Sequence, residues 1–225
     1  MSRSGAPAGP THVPAWVMHM NEMIEHVYLV LRINIVWTLL SLLGLIVAGV
    51  APAGAAAGDA FIASRHGAPV KVLPLMWESY RRQFVSANLR MLPLMVVQLG
   101  SASMIWIVLG GGTANSTMAV VLSGIAVVSA AWSTVSVALL MTVPRVRRQD
   151  LLVAWRLAIL LPGALPLRFI GLILLLAVWI VVCTVLWPVA LLVGMATGID
   201  IATTLLSRRV ELLLEDLEAS RTVTV

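Results

Sequence analysis

"INIVWTLLSLLGLIVAGVAPAGAAAG", Ile33 to Gly58, runs for 26 residues without a charged side chain. Whether this run crosses a bilayer once or doubles back on itself sets the topology of the whole chain. A bilayer's hydrocarbon core, about 30 Å thick, takes roughly 20 helical residues, so the run can cross once with a margin. Its second half is built from small residues, which let helix backbones approach closely. Two arrangements follow. In one the run crosses once and the N-terminus lies opposite the loop that follows. In the other, "GVAPAGAAAGDAFIASR" (Gly49–Arg65) re-enters the membrane, and the N-terminus shares a side with that loop. The single crossing, with five spans in all, is the reading adopted.

The rest of the chain sets the class. Of its 225 residues 60% are hydrophobic and 11% charged, with a mean hydropathy of +0.99. Soluble domains are about 45–50% apolar and about 25% charged. Folding the chain on itself cannot hide this much apolar surface from water, so the surplus faces lipid. The chain is an all-α, polytopic transmembrane bundle of about five spans (four to six). Met91–Pro144 is charge-free for 54 residues, and "LGGGTANST" (Leu109–Thr117) divides it into two spans joined by a tight turn. Phe169–Ile199 is charge-free for 31 residues with Pro188 near its middle. Proline kinks a helix or starts a new one, so this run is read as a hairpin of spans 168–187 and 188–207. Residues 1–14, rich in Pro and Gly, are read as disordered, 15–207 as the membrane domain, and 208–225 as a cytoplasmic helix or tail.

The net charge of +5 matters through its placement. Arg65, Lys71, Arg81, Arg82 and Arg90 fall in the first long loop. Arg145, Arg147, Arg148, Arg156 and Arg168 fall in the second, and Arg208, Arg209 and Arg221 in the tail. Short loops rich in Lys and Arg stay cytoplasmic. Both long loops and the tail are therefore expected on the cytoplasmic side of an inner (cytoplasmic) cell membrane, and the glycine-rich turn outside.

Each long loop carries an amphipathic elbow. In the first, Leu73, Trp77, Tyr80, Phe84, Ala87 and Met91 recur every three or four residues and form one apolar stripe. Glu78, Arg82 and Ser86 line the opposite side, with Glu78 placed to pair with Arg82. Such a helix lies in the interface plane with rings in the acyl boundary and guanidinium groups toward anionic headgroups. Trp77, Arg81, Arg82 and Phe84 are its surface candidates. Nucleic acid is excluded as a partner, because the aromatics share the lipid stripe and none interleaves with the arginines for base stacking. The second elbow, "PRVRRQDLLVAW", offers Arg145, Arg147, Arg148 and Trp155, with Asp150 as helix N-cap and Pro162 as its end.

Three sets of residues are candidates for chemistry. His19, Glu22 and His26 would share a helix face at a spacing compatible with metal ligation; the plainer reading is the polar face of a helix preceding the first span. Asp59 and Asp200 are the acids closest to the spans. With Asn34 and Gln98 they could line an ion or solute pathway, or they could cap or pair at the interface. Gly54 with Gly58 and Gly194 with Gly198 are small-xxx-small pairs that suit packing within the chain or a homodimer. Cys183, the one cysteine, excludes an internal disulfide. No P-loop, dinucleotide fingerprint, HExxH or GxSxG is present, so neither a cofactor nor catalysis is expected.

Asn34–Trp37 ("N-x-x-W"), Ser41–Gly44, Pro52–Ala56 and the basic segment at Arg65 before an aromatic elbow carry a resemblance. With the later "DLLVAW" and "LPLRF", they make residues 25–207 resemble the YesL-like family of small bacterial membrane proteins, described by a domain of unknown function. Leu43 stands where that family often has proline. The resemblance implies no catalytic residues. It implies a role linked to sugar uptake, since members often occur beside carbohydrate importers. The expected function is thus an accessory or regulatory subunit of a carbohydrate ABC importer; the alternative is a small transporter or channel using Asp59 and Asp200.

Overall fold

The charge-free run does not form one helix. In a computed structural model, which describes residues 15–67, 71–110 and 117–223, α1 (Ala15–Leu43) ends within it and α2 (Val50–Arg65) begins after a short turn. Leu45 and Ile46 take left-handed backbone angles, φ 57° and 62°, which a β-branched residue rarely adopts. Close approach holds them there: Gly44 lies against Gly49, and Gly49 against the Ser41 carbonyl, with no room for a Cβ at either glycine. The amides of Gly44, Leu45, Ile46, Val47, Gly49 and Val50 all donate to carbonyls between Leu40 and Ile46. The Asn88 carboxamide donates to the Ala48 carbonyl at 2.9 Å. The side chains of this turn are apolar and exposed, Leu45 to 86%. In hydrocarbon an unpaired backbone group costs several kcal/mol, and this turn largely satisfies its own.

The single crossing of Ile33–Gly58 is therefore corrected. Small residues make α2 a central helix, not the second half of a span. Every residue from Ala51 to Gly58 is buried, in contact with α1 and with the helices described below. α2 returns alongside α1, so that His26 and Arg65 meet the same aspartate, Asp200. α1 and α2 thus form a helical hairpin, the geometry that the re-entrant alternative requires.

Beyond α2 come α3 (Val72–Gly110), α4 (Thr117–Thr142), the single turn α5 (Pro144–Arg147), α6 (Leu151–Ala164), α7 (Pro166–Val185) and α8 (Trp187–Val223). Among the described residues there is no strand. Five helices are long and apolar enough to cross a membrane: Trp16–Leu43, Val72–Val108, Thr117–Thr142, Pro166–Val185 and Trp187–Asp216. These define a multi-pass membrane protein. The last charge-free run divides at Leu186, with Pro188 in the first turn of α8, as its position in the sequence suggests. The core joins Ile33, Phe61, Met76, Met91, Leu139, Leu172 and Leu206, all under 2% exposed. α3 and α4 pack along each other, and α7 on α8.

Several local expectations shift. The helix before the first span is continuous with it as α1, and the first elbow is the beginning of α3, which runs on through Pro93. Its aromatic stripe serves the core as well as the surface: Tyr80, Ala87 and Met91 are buried, while Leu73 and Trp77 are exposed. Glu78–Arg82 is not among the ion pairs formed by the described residues. α6 continues past Pro162 to Ala164, and Asp150 sits at its N-cap position without a side-chain cap bond. α8 carries the tail as one helix past Arg208 and Arg209. Residues 1–14, and the glycine-rich turn at 111–116, lie outside the described residues.

Candidate functional site

Asp59 is the only acid on α2, and α2 is sunk in the bundle. The side chain is 19% exposed and pairs with Arg147, which is 3% exposed. Ser79 Oγ donates to Asp59 Oδ2 at 2.6 Å and Gln83 Nε2 to the same oxygen at 3.0 Å. Arg147 also donates from Nη1 to the carbonyls of Leu140 at 3.2 Å and Met141 at 2.8 Å, in the last turn of α4. Burial lowers the pKa of the Arg147 guanidinium and the adjacent Asp59 carboxylate opposes that shift. One ion pair thus ties α2, α3, α4 and α5. The surface role expected for Arg147 is corrected: it is a core residue, drawn inward by Asp59.

Asp200 anchors a second cluster. Its Oδ1 accepts from Arg65 Nη2 at 2.6 Å and its Oδ2 lies 3.0 Å from His26 Nε2. Arg65 Nη2 also reaches Thr204 Oγ1 at 2.6 Å. This cluster is wetter, with His26 54% and Arg65 35% exposed. It joins α1, α2 and α8. Asn34 makes a third link: its Nδ2 donates to the Leu191 carbonyl at 2.9 Å, and its Oδ1 accepts from the Ala196 amide at 3.2 Å. Asn34 is 4% exposed, and a buried polar group left unmatched costs about 1–3 kcal/mol. Asn34→Leu is accordingly expected to lower stability by about 1–3 kcal/mol, read as an earlier thermal transition in mild detergent.

Gln98 stands apart from these. It donates to Thr134 Oγ1 at 2.8 Å and faces a cavity of about 670 Å³ between α3–α4 and α7–α8. Apolar side chains dominate the wall, and no charged residue lines it. Gly194 and Gly198 border this cavity, and a Cβ at either would meet nothing closer than 3.6 Å. Their expected role in close helix packing is corrected, because they leave space where Gly54 and Gly58 fill it. Gly58 lies against the Met141 carbonyl and Gly54 against the Met141 side chain. Asp59, Asp200 and Asn34, proposed from sequence to share a pathway with Gln98, are not brought to it.

The remaining surface candidates divide. Trp77 stacks beside Tyr80 at 6.2 Å, with the Arg81 guanidinium 5.8 Å over its ring. Arg82 and Arg148 are exposed, Phe84 is half-buried edge-on to Tyr80, and Arg145 pairs with Glu215 at 3.4 Å. Trp155 points back into the fold, donating to the Arg90 carbonyl at 3.0 Å, while Arg90 donates to the Gln149 carbonyl at 2.8 Å. His19 and Glu22 stay together at 3.5 Å on the exposed start of α1, and His26 turns to Asp200. Among the described residues no group of three His, Cys, Asp or Glu side chains is placed to hold a metal. Sequence reasoning missed Ser79 and Gln83; their spacing of four, facing the small-residue helix, is the signal they offered.

Residues 30–100 match a family described as a protein of unknown function, DUF624. That segment carries Asn34, the α1–α2 turn, Asp59, Ser79 and Gln83, whereas Arg147 and Asp200 lie beyond it. Comparison with curated proteins gave no match, and comparison with solved structures gave none either.

Proposed function

We propose that this chain is an accessory or regulatory subunit of a membrane complex in the cytoplasmic membrane, with no catalysis of its own. One observation carries the reading. Asp59 and Asp200, the acids placed to serve a pathway, are each closed into an ion pair with an arginine. What remains for work is the apolar flank of the spans and the exposed basic start of α3. By the positive-inside rule that basic face is cytoplasmic, which suits contact with a partner's cytoplasmic parts and with anionic headgroups. The partner is a carbohydrate ABC importer, on the strength of the YesL-like resemblance alone.

Affinity purification of the tagged full chain from its own cells in mild detergent tests this. Importer membrane subunits are expected to co-elute, and Arg81→Glu/Arg82→Glu is expected to reduce their yield several-fold while the chain itself is still recovered. Elution without any transporter component would refute the partnership. The second reading, a small transporter, is favoured by Gln98 at the cavity wall. It requires solute or proton flux in proteoliposomes that Gln98→Leu abolishes.

A further inference from the structure

The cavity between α3–α4 and α7–α8 has a volume of about 670 Å³, within the range of about 300–1,000 Å³ typical of ligand pockets. Its wall includes Ile180 and Met195, which are 61% and 44% exposed and belong to two of the span-forming helices. It therefore opens sideways, onto the face that meets hydrocarbon. A void there loses the contacts that its lining atoms would otherwise make, so something lipid-like must enter. The absence of charge from the wall disfavours an ionic head, since desolvated charge needs a partner. Contacts with lipid chains are no more favourable than lipid makes with itself, so selection must come from hydrogen bonding.

The wall's hydrogen-bonding groups are unequal. The hydroxyls of Thr134, Thr142 and Thr184 donate to carbonyls of their own helices, and the Trp179 indole donates to the Gly194 carbonyl at 2.8 Å. Gln98 donates one N–H to Thr134. Its carbonyl oxygen has no partner among the described residues. A ligand hydroxyl can donate to that oxygen. Gly194 and Gly198 keep the opposing wall of α8 low: a methyl group on either would come only within ordinary contact distance of Cys183 and Leu176.

We propose that this cavity is a binding site for one uncharged, long-chain lipid bearing a hydroxyl, its chain lying along α7–α8 and its head at Gln98. The inference is independent of the importer partnership, since it concerns the interior of this chain alone.

The test uses the full chain, both in its native membranes and purified in mild detergent, with a long-chain fatty alcohol carrying a mid-chain diazirine as probe. After irradiation, crosslinks mapped by mass spectrometry are expected at Met95, Met141 and Cys183 in preference to the exposed Val127 and Val128 of α4. An unlabelled long-chain alcohol is expected to compete better than the alkane of equal length. Gly198→Leu, which fills the cavity, should remove most cavity labelling, whereas Gly124→Leu, at a position with open space around it, should not. In Gln98→Leu the labelling should persist while the preference for alcohol over alkane falls by about fivefold, the scale of one lost hydrogen bond. The Gln98 variant keeps the test decisive if Gly198→Leu fails to fold. Equal labelling of cavity and outer face, or no alcohol preference in the parent chain, would overturn the proposal. Labelling of the purified chain but not of native membranes would give the cavity to a partner protein, which also overturns it.

Discussion

Arg147→Ala is expected to destabilise the chain by about 3–5 kcal/mol, the range for breaking one side of a buried ion pair. The cause is local and specific. Arg147 is 3% exposed, and its guanidinium faces Asp59 and two carbonyls at the end of α4. Removing it leaves a carboxylate held by Ser79 and Gln83 with no cation to offset its desolvation. Asp59→Leu alone should cost a similar amount, by stranding the guanidinium. The double variant Asp59→Leu/Arg147→Met should recover much of the loss, because replacing both charges with apolar groups is often neutral. Thermal unfolding in mild detergent, followed by loss of the monodisperse species, measures all three. Additive single effects would show that the two side chains act separately.

Gly58→Leu is expected to cost about 3 kcal/mol or more, at the upper end of overpacking effects. A Cβ at Gly58 runs into the Met141 carbonyl oxygen, which is backbone. That carbonyl also accepts from Arg147 at 2.8 Å, so moving it aside disturbs the ion pair as well. The two perturbations should therefore be non-additive in a double-mutant cycle. Gly54→Ala should be milder, since it meets the flexible thioether of Met141. Gly194→Ala and Gly198→Ala, with no close neighbour, should stay within about 0.5 kcal/mol of the parent. Equal losses at all four glycines would contradict the distinction between packed and cavity-lining positions.

Fold class was legible in the sequence because it rests on quantity: 60% hydrophobic residues and long charge-free runs leave lipid as the solvent. The hairpin at Leu186 was legible because proline limits where a helix can begin. The turn between α1 and α2 was not. Its strained residues are Leu45 and Ile46, which carry no turn signature. Only the burial of Ala51–Gly58 on every face distinguishes a central helix from the end of a span, and burial is a tertiary property.

The candidate residues divide for the same reason. Asp59, Asp200 and Asn34 stood out as polar groups near or within apolar runs, and each proves to be a link between helices. Their partners were harder to name. Arg147 sits in a basic cluster indistinguishable by charge from Arg145 and Arg148, and what separates it is its position one turn beyond α4, within reach of α2. Gly194 and Gly198 have the same spelling as Gly54 and Gly58, but their outcome depends on whether another helix occupies the facing space. Pattern gave the residue types, and long-range contact assigned the roles.

The return of α2 beside α1 underlies both ion-pair clusters. Its most direct test is cysteine accessibility in a Cys183→Ala background, with Glu22→Cys and His66→Cys made singly at exposed positions. A membrane-impermeant maleimide applied to right-side-out and inverted vesicles should modify both cysteines from the same face. Modification of the two from opposite faces would mean that Ile33–Gly58 crosses the membrane once, and would contradict the hairpin.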